Sequence, residues 1–149
     1  MSAKTNDPAK AVANVEFIRN LLEGAKVKMS DAGELRNMAL EDYPEYSEET
    51  MFYCCGREFR GYSGIREFLA PIAGYRQVLL DIIDIFASDE RVGLVINEQS
   101  ERVSDGQKFD FVRNVIYKVV DGKITECWIG DTPYAWGLKE YQDTIAASA

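Results

Sequence analysis

The sequence predicts an α+β fold in which helices come first and an antiparallel meander follows. Three observations carry that prediction. Asp7-Pro8, an N-cap followed by proline at the first helical position, opens a stretch with apolar residues at helical spacing. The segments Gln77–Ala87, Arg91–Val103 and Gln107–Val120 are long, rich in β-branched and aromatic residues, and separated only by short turns. Asp121-Gly122 then stands between Gln107–Val120 and a last strand, Lys123–Gly130. That dipeptide suits a type I′ hairpin turn, whose two central residues both take φ > 0.

Val12, Val15, Ile18, Leu22 and Ala25 share one helical face, so a first amphipathic helix is expected over Pro8–Ala25, with Gly24 near its end. Ser30 or Asp31 can cap a second helix carrying Ala32, Leu35, Met38 and Ala39, ended at Asp42–Pro44 because the residue before proline leaves the helical region. Glu49–Cys55 reads as a short strand. Ser63 can cap a third helix, with Ile65, Phe68, Leu69 and Ile72 facing inward. Ser88-Asp89-Glu90 and Asp105-Gly106 supply the next turns. Asp131-Thr132-Pro133 signals a C-terminal helical tail over 131–149, and residues 1–7 are polar and expected to be disordered. At 149 residues, without repeat or linker, the chain is expected to form one domain.

Both alternating sets of Gln107–Val120 are largely apolar: Phe109, Phe111, Val115, Tyr117 and Val119 on one side, Val112, Ile116 and Val120 on the other. A sheet with two apolar faces is expected to be covered twice, by helices inside and by a second subunit or the C-terminal segment outside. A homodimer follows as the expectation.

A net charge of −8 argues against nucleic acid and against anionic membrane surfaces. No apolar run approaches the roughly 18–20 residues of a membrane span. Cys54, Cys55 and Cys127 are odd in number and two are adjacent, which predicts a reducing, cytoplasmic setting. Cys54-Cys55 has neither metal spacing nor a histidine partner, so neither a zinc site nor a thiol protease is expected, and no cofactor is implied.

The order helix–helix–short strand–helix–long meander resembles the nuclear transport factor 2-like superfamily in its SnoaL-like branch. The residues that carry the resemblance are Phe59-Arg60-Gly61-Tyr62-Ser63-Gly64-Ile65-Arg66-Glu67-Phe68-Leu69, and Phe109 through Trp128 around Asp121-Gly122-Lys123-Ile124. The resemblance implies a cone-shaped barrel made of a strongly curved antiparallel sheet, closed by three N-terminal helices around a ligand pocket. It also implies isomerase, cyclase or dehydratase chemistry on a small hydrophobic, oxygenated molecule. Ketosteroid-isomerase-like members use an early-strand Asp, a first-helix Tyr and an Asp on the penultimate strand; the nearest positions here are Tyr53 (or Phe52), Ile18 and Asn114. The acids and arginine of limonene-epoxide-hydrolase-like members fall at Ile129, Gln99 and Glu101, and polyketide cyclases of the SnoaL type use an acid near Ile129. Dehydratase relatives depend on histidine, and this chain has none.

Without histidine, acid–base work at neutral pH passes to carboxylates, Tyr, Cys or Lys with shifted pKa values. Asp131 is one candidate acid, and equally the N-cap of the C-terminal helix. Glu101 shares a strand face with Asn97 and Gln99, which suits either a cavity lining or a wet strand end. Asn114 is either a ligand donor or part of a polar network with Arg113 or Asp110. Tyr53 is a hydrogen-bond donor to an oxyanion or a core residue. Phe52, Cys54, Gln99, Val112, Ile116, Cys127, Trp128 and Ile129 are the expected pocket lining. Trp128, Tyr134, Trp136 and Tyr141 either wall the pocket or pack a dimer or helix. The competing expectation is a non-catalytic ligand-binding or dimerisation module that has lost the family's acids.

Overall fold

The computed structural model describes residues 6–54 and 56–130. Helix α1 runs from Pro8 to Ala32 and is capped as expected: Asp7 Oδ1 accepts from the backbone N–H of Ala9 at 3.0 Å and of Lys10 at 3.4 Å. The helix does not stop near Gly24. Its buried stripe of Ile18, Leu21, Leu22 and Ala25 lies against the sheet, and that packing exceeds the roughly 1 kcal/mol cost of a mid-helix glycine. Gly33, at φ 72°, ends it by donating to Met29 O. The expected second helix is thereby absorbed: Ser30 and Asp31 lie inside α1, and Leu35–Asn37 and Leu40–Asp42 form only 3₁₀ turns.

Strand β1 (Met51–Cys54) is followed by β2 (Arg57–Arg60), a hairpin partner hidden in sequence by its charged composition. Helix α2 spans Gly61–Leu69 and continues into a 3₁₀ turn at Ala70–Ile72. It begins ahead of Ser63 because the Gly61 N–H is bonded to Thr50 O at 2.8 Å. Gly61 has φ 64°, and a Cβ there would meet Glu48 O at 2.8 Å, so a side chain is excluded twice over. The long strands β3 (Tyr75–Ala87), β4 (Arg91–Arg102), β5 (Lys108–Val120) and β6 (Lys123–Ile129) follow, close to their expected bounds. Asp121 and Gly122 both adopt positive φ, 50° and 72°, as the type I′ reading required.

The six strands form one sheet in the order β2-β1-β6-β5-β4-β3. It is not purely antiparallel, because β1 pairs parallel with β6 (Phe52 opposite Cys127), and it is curved rather than closed. Irregularities between Gln77 and Leu79 and between Ile82 and Asp84 bend β3 against β4, since an extra residue on one strand increases local twist. The inner face carries Val92, Leu94 and Ile96 of β4, Val115, Tyr117 and Val119 of β5, and Ile124 and Cys127 of β6, covered by α1 and the Leu40–Tyr46 segment. The outer face leaves Phe86 (59% exposed), Ile83, Val112, Ile116 and Trp128 open to solvent within the chain. No described helix is long and apolar enough to cross a membrane.

Candidate functional site

Between α1, the 3₁₀ turns, α2 and the inner face of the sheet lies a cavity of about 140 Å³. Its wall is almost wholly aliphatic and aromatic, with Leu21, Met29, Phe52, Phe68 and Leu80 among the contributors. The polar side chains among its lining are Arg113, Tyr117 and Cys127 from β5 and β6, and Tyr43 and Tyr46 from the segment before β1.

Strand parity puts Arg113 there. Phe111, Arg113, Val115, Tyr117 and Val119 alternate toward the core, as do Val92, Leu94, Ile96 and Glu98 on the neighbouring strand. Glu98 stands opposite Phe111, one step diagonal from Arg113 on the same face, within reach of a long side chain. The two form a buried pair: Arg113 Nε donates to Glu98 Oε1 at 2.8 Å and Nη2 lies 2.5 Å from the same oxygen. Glu98 is 4% exposed. Burial works against the Arg113 charge, but Glu98 and the neighbouring Tyr117 outweigh it, so the guanidinium holds its proton more tightly than usual.

Tyr46 is placed by a pinned loop. Ile124 N–H donates to Glu45 O at 2.8 Å, the Thr50 hydroxyl to Ile124 O at 2.7 Å, and the Tyr62 hydroxyl to Tyr46 O at 3.0 Å. Its ring packs at 5.6 Å from Phe52 and 6.1 Å from Tyr43, and its phenol neighbours that of Tyr117. Burial, above all, pushes the Tyr46 and Tyr117 phenols well above their ordinary range, and it pushes the Cys127 thiol up to about 12. At neutral pH these groups keep their protons. They can donate hydrogen bonds to an oxygen in the chamber, but they cannot serve as bases, and Cys127 is no nucleophile.

No family model matches the sequence, and no curated protein matches it at a significant level. Solved structures do. A SnoaL-like polyketide cyclase candidate from Jannaschia sp. CCS1 superposes with a TM-score of 0.58 at 12% identity, over 85% of this chain and 90% of that one. TerC, co-crystallised with polyporic acid, gives 0.59 at 17% identity over 83% and 95%. A de novo designed protein with a curved β-sheet gives 0.57 at 18% identity over 89% and 97%. The chain thus shares the curved α+β fold of these structures, a SnoaL-like one among them.

Within this frame the expected site residues divide. Phe52, Cys127 and Ile129 line the cavity, and Cys54 is buried beside it without lining it. Glu101, Asn114, Tyr53, Gln99, Val112, Ile116 and Trp128 do not line it. The polar row on β4 is explained by cross-strand pairing: Arg76 Nε donates to Glu101 at 2.8 Å and Gln99 to Asp110 at 2.8 Å, each directly opposite its partner. Asn114 is exposed on the outer face, its backbone oxygen accepting from Gly130 N–H at 2.7 Å. Tyr53 stacks on Trp128 on that same face, ring centroids 4.1 Å apart. Asp131, Tyr134, Trp136, Tyr141 and the C-terminal helix lie outside the described residues. Sequence reasoning missed Glu98, Arg113, Tyr117 and Tyr46. The available signal was a pair of opposite charges, each interrupting an apolar alternation on adjacent strands.

The buried phenols and thiol make stability fall in alkali. Their folded pKa values lie above the unfolded ones, so the folded state keeps protons that the unfolded chain has released. This contribution is complete below pH 9.0, the ordinary thiol value, and is lost as pH rises through about 12. Urea unfolding at stepped pH checks it; an unfolding free energy that stays level across that window contradicts the burial of these groups.

Proposed function

We propose that this chain is a cofactor-independent protein of cyclase or isomerase type, acting by proton transfer on a small hydrophobic, oxygenated molecule held in the cavity. One observation carries the reading: the neighbouring Tyr46 and Tyr117 phenols, with Arg113, line an otherwise largely apolar chamber. In this reading Tyr46 donates to Tyr117, which leaves the Tyr117 O–H to donate to a carbonyl oxygen of the substrate. As negative charge develops on that oxygen, a donor fixed in a dry site stabilises it more than water would. Arg113, immobilised by Glu98, adds a positive potential at the same end. Asp131, next in sequence after Ile129 and Gly130, is assigned as the proton acceptor. The cyclase descriptions carried by several structures of this fold support the reaction class. The reading places the protein in the cytoplasm.

A second reading is binding without turnover. It is favoured by the commitment of Glu98 to Arg113, which removes a buried carboxylate beside the cavity from service as a base.

Exchange of α-protons in D₂O, followed by NMR on a panel of small aryl ketones with and without a carboxylate, separates the two. Acceleration by the wild-type protein, cut about 10²–10³-fold in Tyr117→Phe and sharply in Asp131→Asn, is the expected result. Binding with no acceleration over buffer would establish the second reading.

The outer face completes the proposal. Ile83 is 58% exposed and Val112 54%, and together with Phe86, Ile116 and Trp128 they form an apolar surface that a second copy of the chain covers. Sedimentation equilibrium is expected to give a dimer for the wild type and a folded monomer for Val112→Glu; a wild-type monomer at micromolar concentration contradicts it.

A further inference from the structure

We propose that the occupant of the cavity is a compact apolar carboxylate, of about the size of one six-membered ring, whose anionic group pairs with the free edge of Arg113. This rests on the functional reading above and narrows its substrate class. Three independent features lead to it.

The first is the guanidinium itself. Its Nε and Nη2 are both directed at Glu98 Oε1, whereas Nη1 makes no hydrogen bond among the described residues, although Arg113 lines the cavity. A guanidinium presents five N–H donors in a planar fork, more than Glu98 Oε1 alone can accept. Glu98 holds one edge of the fork and leaves the other uncommitted in a residue that lines the chamber. A carboxylate meets such an edge with short, charge-assisted hydrogen bonds. A neutral amide of the same shape offers one oxygen acceptor and no charge.

The second feature is Tyr43. It lines the same cavity and is 4% exposed, yet its hydroxyl has no hydrogen-bond partner among the described residues. Burial pushes this phenol up, so it remains a donor. An oxygen-bearing ligand gives it the acceptor that the protein does not.

The third is volume. A chamber of about 140 Å³ matches the roughly 150 Å³ apolar cavity known to accept benzene. Its aromatic and aliphatic wall suits a ring or a short branched chain. A fused two-ring skeleton exceeds it.

Isothermal titration of the wild-type protein with benzoate, its neutral isostere benzamide, and 2-naphthoate tests charge and size together. Benzoate is expected to bind at least about tenfold more tightly than benzamide, the scale of a charge-assisted hydrogen bond. 2-Naphthoate is expected to bind at least about tenfold more weakly than benzoate, because it overfills the chamber. Arg113→Lys keeps the charge beside Glu98 but loses the fork; it is expected to weaken benzoate about tenfold and leave benzamide unchanged. Tyr43→Phe, which removes only the unpartnered hydroxyl, is expected to weaken both ligands. Equal binding of benzoate and benzamide overturns the inference, as does naphthoate binding as tight as benzoate. Absence of benzoate binding alongside wild-type proton exchange on neutral ketones overturns the carboxylate assignment alone and leaves the functional reading standing.

Discussion

A guanidinium and a carboxylate taken out of water together, on the apolar side of a curved sheet, set the terms for the rest of this structure. Each ion alone would lose several kcal/mol of hydration on entering that interior. Arg113 and Glu98 offset the loss by meeting at 2.5 Å with a second hydrogen bond at 2.8 Å. The pair is compatible with folding only while both partners are present and geometrically fixed. Fixing them falls to β4 and β5, whose antiparallel register sets the two residues on a common diagonal of the inner face. The surrounding apolar residues then raise the strength of every polar contact in the chamber by excluding water.

The same logic explains the shape of the site. The long α1 stripe, running from Ile18 to Met29, roofs one flank of the inner face, and the Tyr43–Thr50 loop closes another. Because bonds to the Ile124 backbone hold that loop, Tyr46 meets Tyr117 and sets a second polar element next to the ion pair. The outer face has a different character. Its charged and amide side chains pair directly across strands and remain wet, while its apolar residues form a patch.

Most of the architecture was legible in the sequence, because the Asp121-Gly122 turn, the Asp7-Pro8 cap and the long alternating strands are local signals. The breadth of α1 was not. Gly24 and Ser30-Asp31 read locally as a helix end and a new start, and only tertiary packing of Leu22, Ala25 and Met29 overrides them. The site was lost to strand parity. Asn97, Gln99 and Glu101 drew attention as a polar row, but a one-residue step decides which face meets the core, and Glu98 takes the inward position. The same step exchanges Asn114 for Arg113 on β5. The apolar residues adjoining Glu98 and Arg113 decide parity, since burying Leu94, Ile96, Val115 and Tyr117 outweighs the cost of burying one compensated ion pair. Tyr46 carries no periodic signal, because its position depends on contacts between a loop and a strand distant in sequence.

The coupling between Glu98 and Arg113 is the quantity on which this account stands. A double-mutant cycle with Glu98→Met and Arg113→Met, read by denaturant unfolding at neutral pH, measures it. Each single variant is predicted to lose about 3–5 kcal/mol by stranding a buried charge, and the double variant to lose much less than their sum. Single losses that add to within about 0.5 kcal/mol in the double variant would mean that the two charges do not depend on one another. That result would contradict the structure of the chamber proposed here.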